Sequence, residues 1–399
     1  MILKDIILSE ISDSRGEPTI EVGVENIKGG KFFAQIPSGK SCGTNEAQTL
    51  PYGEAARVLE ETIKKEIIKK NFKSIEELDR LLIKLDGTIN KNKLGGNLML
   101  GISIAFSRAL AAEKNLELWQ LIRNEFFKNE VEKKLPRIFS NLINGGAHAK
   151  NNLDIQEFMV IVSSDESIGQ SYEKLVSFYY RLGEYLKKVR SIQDVPLGDE
   201  GGYSLDFQNN FEPLSILAEQ IKVLNWGGNF ALGLDAAASG FYKDDKYIFD
   251  EKLINTQELE GIYKVYFEAV PNLVSIEDPF HEKDGEQFGK LLSHLKEKLI
   301  IGDDLTTTNP QAIKKAAENK WISGVIIKPN QIGTVTETCE AINEAHKHGI
   351  KCIVSHRSGE TKDVFIIHLA RAANAFGLKI GAPYSERLVK FEEMLRIYS

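Results

Sequence analysis

Between Leu273 and Pro383 the chain repeats one pattern: a short apolar run, an abrupt charged or hydrogen-bonding residue, then a stretch with helical spacing. The runs read LVSIEDPF, LIIGDDL, GVIIKPN, KCIVSHRSGE and LKIGAP, and FALGLDAA precedes them in the same form. Continuous apolar runs bounded by helices are what parallel strands buried on both faces look like. The residue just past each run then stands at a strand's carboxyl end, and in a (β/α) barrel those ends share one mouth, where active sites are built. The pattern therefore predicts that Asp235, Glu277, Asp303, Lys328, His356, Arg357, Ser358 and Lys379 meet in one place.

A chain of 399 residues exceeds the roughly 250 to 300 residues over which one core grows, so two domains are expected. The segment EPTIEVGVEN, a turn at Lys28-Gly29-Gly30 and KFFAQIP read as a hairpin. Helical spacing follows over Ala55 to Lys70, Ser74 to Lys84 and Asn97 to Lys114, the second opening on the capping pattern Ser74-x-x-Glu77. We read residues 1–128 as a small α+β domain and residues 129–399 as the barrel, with the charged stretch Asn124 to Lys134 as linker. A long helix is expected around Ser171 to Arg190, and later helix starts are marked by Asn309-Pro310 and Thr334-x-x-Glu337.

A net charge of -7 disfavours a nucleic-acid binder, which would carry a basic face. The scattered Cys42, Cys339 and Cys352 make neither a disulfide framework nor a CxxC site. With no apolar leader and no run of about 18 apolar residues for a membrane span, a soluble cytoplasmic protein is expected.

Asp235, Glu277 and Asp303 are oxygen donors on separate strands, a hard set that suits magnesium and leaves positions for water and substrate. Any one of them could simply cap a helix or pair with a lysine; three at successive strand ends argue for a metal. Lys328 shares that mouth, and desolvation beside a divalent charge is expected to depress its pKa toward a usable base. Its alternative is a structural ion pair with one of the acids. Pro329 after it lacks an amide hydrogen and holds Lys328 extended. His148, between glycine-rich and Asn-rich segments, reads as a loop residue over the mouth, whereas His281, His294, His346, His348 and His368 read as surface or packing residues.

Long ordered strings carry a resemblance over essentially the whole chain: SDSRGEPTIEV, PSGKSCG, LDGTINKNKLGGN, LINGGAHAKNNLDIQEFM, GDEGG, VSIEDPF, GDDLTTTNP, IKPNQIGT, SHRSGET and KIGAPYSER. The sequence resembles the enolases. That resemblance implies an α/β protein whose C-terminal (β/α)8-type barrel, of the enolase kind, follows a smaller N-terminal α+β domain. It implies Mg-dependent dehydration of 2-phosphoglycerate to phosphoenolpyruvate, with two Mg²⁺ ions per site and a homodimeric, cytoplasmic enzyme. Residue by residue, Asp235, Glu277 and Asp303 resemble the ligands of the first magnesium, and Ser41 the ligand of the second. Lys328 resembles the base for the C2 proton, Glu200 the acid for the departing hydroxyl, and Glu157 its neighbour. His148 resembles the residue that closes over substrate, His356 one near the leaving group, Arg357 and Ser358 the phosphate clamp, and Lys379 the partner of the substrate carboxylate. Glu21 and Arg396 match an intersubunit ion pair.

The chain departs from the family pattern at QTLPY, where a longer segment is usual, at Cys42 for threonine, at Gly240 for glutamate, and at its end in Ser399. Two alternatives remain at this level. Another acid dehydratase of the same superfamily would have no use for SHRSGE or PSGKSCG. A non-catalytic surface or scaffold role on this fold would be expected to shed site residues, and none is shed.

Overall fold

The computed structural model describes residues 1–39, 46–128, 135–163, 167–226 and 228–399. Ser41 and Cys42, and the linker residues 129–134, lie outside the described residues. A three-stranded antiparallel sheet opens the chain: β1 (Leu3–Ser12), β2 (Pro18–Asn26) and β3 (Lys31–Gln35). Helices α1 (Tyr52–Val58) and α2 (Lys64–Ile67) follow, joined by a π-helical turn, then α3 (Ile75–Asp86), α4 (Gly96–Glu113) and α5 (Leu118–Phe126). Ser74 caps α3 by accepting from the Glu77 amide. Helix α5 occupies the first part of the stretch read as linker. Polar Arg123, Asn124 and Glu125 mask its periodicity, but Leu118, Leu121 and Ile122 are buried and Glu117 with Gln120 forms a capping box.

The second unit is a closed barrel. Its elements are β4 (Arg137–Asn144), β5 (Glu157–Val162), α6 (Ile168–Arg190), α7 (Phe211–Val223) and β6 (Phe230–Asp235). A side sheet β7 (Tyr242–Lys243), β8 (Lys246–Phe249) and β9 (Lys252–Ile254) interrupts the series, which the sequence reading did not separate. The alternation then runs α8 (Thr256–Ala269), β10 (Leu273–Glu277), α9 (Gly285–His294), β11 (Leu299–Gly302), α10 (Pro310–Glu318) and β12 (Gly324–Ile327). It ends with α11 (Pro329–Ile332), α12 (Val335–Lys347), β13 (Lys351–Ser355), α13 (Phe365–Ala373), β14 (Gly377–Lys379) and α14 (Leu388–Tyr398). Asn309 and Thr334 cap α10 and α12 as their sequences suggest.

Around the barrel the order is β10-β11-β12-β13-β14-β4-β5-β6, parallel except at β5, which pairs antiparallel with both β4 and β6. Strand β5 returns from β4 through the loop NGGAHAKNNLDIQ rather than through a crossover helix, so it must run backwards. Two consecutive helices, α6 and α7, then lie between β5 and β6.

Side chains alternate across each strand. Phe139, Met159, Ile161, Ile301, Ile326 and Ile353 form a buried cluster of their own inside the barrel. Two residues along from members of that cluster stand Asn141, Glu157, Asp303, Lys328 and Ser355, so the pleat alone aims them at the interior. Contacts between the two units include Arg108 with Asp363 at 2.7 Å and Lys91 with Glu337 at 2.8 Å.

Candidate active site

The mouth of the barrel is a cavity of about 330 Å³ lined by His148, Glu157, Glu200, Asp235, Asp303, Lys328, His356, Arg357, Ser358 and Lys379 among others. The strand ends read from the sequence thus converge, and three residues off the strand-end pattern, His148, Glu157 and Glu200, join them. Glu157 reaches the mouth because β5 is reversed, which turns its first residue upward, level with Asn144 and Asp235. Glu200 stands between α6 and α7, where Asn141 Nδ2 donates to it at 3.0 Å. Glu277 lies beneath the lining, 1% exposed.

One wall carries the acid group. His148 Nδ1 lies 3.5 Å from Glu200 and 3.6 Å from Glu157, and His356 Nε2 lies 3.5 Å from Glu200. Burial and the neighbouring Glu200 push the Glu157 carboxyl well above its ordinary range. Burial also opposes the Glu200 anion, but His148, His356 and Arg387 outweigh it and hold Glu200 low. The pair therefore keeps a proton, resting on Glu157. Burial lowers the pKa of both histidines, more so for His356. The His356 Nδ1 accepts from the Gly381 amide and Arg387 Nε, both at 3.3 Å, which directs its Nε2 hydrogen toward Glu200.

The opposite wall carries the lysine. Lys328 Nζ donates to Asp303 Oδ2. Burial alone would lower its pKa, yet Asp303 raises it above the ordinary lysine range. Here desolvation is outweighed by a directly bonded carboxylate, whereas the depressed value expected from the sequence is for a site that also holds a divalent ion. Lys379 lies between the walls, donating to Glu277 at 2.8 Å and Asp235 at 3.0 Å, with Glu157 at 3.2 Å. Asp235, Glu277 and Asp303 accordingly do not close on a single point: an ammonium bridges the first two, and Asp303 turns to Lys328. These two ammonium groups are the counter-charges that the acids hold.

The donor set fits a hard divalent cation. Seven carboxylates (Glu157, Glu200, Asp235, Asp278, Glu282, Asp303, Asp304) line the cavity against Lys328, Arg357 and Lys379. Glu277 is pushed well above its ordinary pKa by burial and then by Asp235, a sign of surplus negative charge. Asp235, Glu277 and Asp303 offer only oxygen, as magnesium prefers. Among the described residues the tightest acidic group at this end is Asp278, Asp303 and Asp304, whose oxygens lie within 4.8 Å of one another. Asp278 is nonetheless structural, accepting from the Asp303 and Asp304 amides at 3.0 and 2.7 Å.

Arg357 donates to Glu46 at 3.0 Å and to Asn330 at 3.1 Å, while its own amide donates to Glu360 at 2.9 Å. Ser358, 5% exposed, lies beside it. His281 packs on Tyr242, with ring centroids 4.4 Å apart, as its sequence reading allows, and it also lines the mouth. Ala237, Asp278, Thr307 and Thr308, all just beyond strand ends, have φ between 42° and 54°. Such left-handed backbone is costly for a non-glycine residue, above all a β-branched one, and it clusters where a site over-determines the chain. Gln156, Asn141, Asp278, Thr308, Gln331 and Arg387 were missed from the sequence. Each adjoins or supports a proposed residue, and the signal for Asp278 and Gln331 was their place beside Glu277 and one helical turn after Lys328.

A family model described as "Enolase, N-terminal domain" matches residues 3–122, and one described as "Enolase, C-terminal TIM barrel domain" matches residues 132–399. Among curated relatives, the enolase of Methanopyrus kandleri is 41% identical, over 97% of this chain and 93% of that protein. The enolases of Elusimicrobium minutum (38%, 99% and 95%) and Aeropyrum pernix (39%, 97% and 92%) are similar to the same extent.

Proposed function

We infer, for a chain that belongs to the enolase family, that the barrel mouth performs the enolase reaction, the reversible dehydration of 2-phosphoglycerate to phosphoenolpyruvate. The enzyme is a lyase of glycolysis. The observation that supports the residue roles best is an opposition across the barrel: β12, which ends at Lys328, and β5, which begins at Glu157, stand four strands apart in a ring of eight. Removing a proton from one carbon and a hydroxyl from the next calls for a base and an acid, and groups on opposite walls can play these parts without neutralising each other.

In this reading Lys328, acting as the free amine, takes the C2 proton. The proton that rests on Glu157 goes by way of Glu200 to the departing C3 hydroxyl. Hydroxide leaves poorly unless protonated, so a carboxyl kept neutral by burial and a like-charged neighbour meets the need. His148 and His356, each with a ring nitrogen 3.5 Å from Glu200, orient that carboxyl. Arg357 and Ser358 hold the phosphate. Lys379, already among acids, holds the substrate carboxylate. Asp235, Glu277 and Asp303 would hold one Mg²⁺, and Ser41 would reach a second. When bound, these ions would supply positive charge against the anion that develops on the substrate carboxylate.

The reading extends to a homodimer in the cytoplasm, as the family resemblance implies; no helix among the described residues is long and apolar enough to cross a membrane. The deciding experiment is a coupled assay for phosphoenolpyruvate from 2-phosphoglycerate with Mg²⁺ and with excess chelator. Turnover that needs the metal is expected. No turnover in either condition would overturn the function, and full turnover in chelator would overturn the metal.

A further inference from the structure

We propose that Gln331 is a positioning residue that sets both ends of the active site at once: it orients Asp303 beside Lys328 and Glu46 beside Arg357. The proposal rests on the functional reading above for what those two ends do.

Gln331 sits in the single turn α11 directly after Lys328, and its side chain is 1% exposed. Its Nε2 donates to Asp303 Oδ1 at 3.0 Å and faces Glu46 Oε1 at 3.4 Å. Its Oε1 accepts from the Thr308 hydroxyl at 2.6 Å. Amide orientation is ordinarily an assignment rather than an observation, but here chemistry forces it. The Thr308 oxygen accepts from the Lys328 amide at 2.9 Å, so its hydrogen points to Gln331. The reverse orientation would aim a carbonyl oxygen at two carboxylates.

A carboxamide is the side chain that can serve this place. Two buried carboxylates each need a donor, and one NH₂ has two hydrogens to give. A glutamate would add a third acid, and a methionine would leave both carboxylates short of a partner, at a cost greater than a hydrogen bond is worth when made. The consequences differ at the two ends. With Oδ1 held by Gln331, Asp303 keeps Oδ2 toward Lys328. Gln331 and Arg357 Nη2 share Glu46 Oε1, at 3.4 and 3.5 Å, while Oε2 accepts from Arg357 Nη1 at 3.0 Å. Gln331 also donates its amide to the Lys328 carbonyl at 2.9 Å and accepts from the Ala47 amide at 2.8 Å, so its backbone is tied to both ends it serves.

The test uses the full-length protein and four forms: wild type, Gln331→Met, Glu46→Gln and the double variant. Calorimetry measures Mg²⁺ binding, and separately inorganic phosphate binding. Gln331→Met is expected to weaken each by about tenfold, the low end for residues that support a ligand. In the Glu46→Gln background its effect on phosphate should vanish while its effect on Mg²⁺ persists. A merely structural role would lower both affinities alike in either background. Equal phosphate losses in both backgrounds, or Mg²⁺ affinity within twofold of wild type, would overturn the proposal. If Gln331→Met does not fold, Gln331→Asn keeps both donors on a shorter arm and should show the same pattern with smaller factors. Wild-type turnover of 2-phosphoglycerate is recorded alongside, so failure of the functional reading and failure of the Gln331 role are told apart.

Discussion

Asp79 offers a sharp test of the electrostatics that join the two units. It lies on α3, fully buried, and its Oδ2 accepts from the Thr336 amide at 2.8 Å in the first turn of α12. Two effects compete there. The helix start favours an anion by about 0.3 to 1 kcal/mol, up to about 2 when partly buried. Burying the carboxylate, with Glu337 nearby, opposes the anion more strongly, and the Asp79 carboxyl is pushed up to about 7 from 3.8. A carboxyl whose folded pKa exceeds its unfolded one binds more protons folded than unfolded between the two values. Stability therefore falls as pH rises from about 4 to about 7 and is flat above. At 1.36 kcal/mol per pKa unit the full effect is about 4 kcal/mol as an upper bound. Asp79→Asn abolishes the titration while keeping an acceptor for the Thr336 amide. Denaturant unfolding should find the variant close to wild type at pH 4 and more stable at pH 8, by up to that amount. A difference between the two proteins that is constant from pH 4 to 8, or that favours wild type at high pH, would refute the reasoning.

The remaining predictions concern the reaction and the assembly. Lys328→Ala should abolish exchange of the C2 hydrogen of 2-phosphoglycerate with deuterated solvent, whereas Glu200→Gln should stop hydroxyl loss and leave that exchange measurable by NMR. The reverse pattern would mean that acid and base are interchanged. Asp303→Asn should weaken Mg²⁺ binding by at least about tenfold and lower turnover, since it removes a charged donor and the partner of Lys328. Light scattering should give a dimer at micromolar concentration. Arg396→Ala should shift its dissociation constant less than about tenfold, because an exposed ion pair contributes little and Arg396 already has Glu117 at 2.9 Å and Glu393 at 2.7 Å in its own chain. A strictly monomeric, active wild type would count against the dimer.

The strand ends were legible because an apolar run followed by a polar residue states both burial and position. Asp235, Asp303, Lys328 and Lys379 needed no more than the period of the pleat to be aimed inward. Other features depended on relations that no local pattern carries. The reversal of β5 is written only as a loop without a crossover helix, so nothing around Glu157 announced that its strand begins, rather than ends, at the mouth. Helix α5 was hidden by its exposed charges. The raised pKa of Lys328 depends on Asp303, 25 residues away and bonded to it only in the folded chain. Gln331 was invisible for the same reason: its two carboxylate partners come from 28 and 285 residues away.

The reversed strand also explains how one barrel separates acid from base. Were β5 parallel to its neighbours, Val162 would stand at the mouth and Glu157 at the far end, among the apolar residues that close the barrel. The antiparallel pairing sets Glu157 level with Asp235 instead, and the two helices inserted between β5 and β6 leave their connection at the mouth, where it supplies Glu200. A single topological change thus delivers both carboxyl groups to one wall. Parallel strands β11, β12 and β13 deliver Asp303, Lys328 and Arg357 to the other. A barrel of eight strands is only wide enough for side chains to meet across it, as Lys379 does in bonding Glu277 from the strand diametrically opposite. A small substrate at that midpoint can touch both walls at once, which an elimination across two adjacent carbons requires.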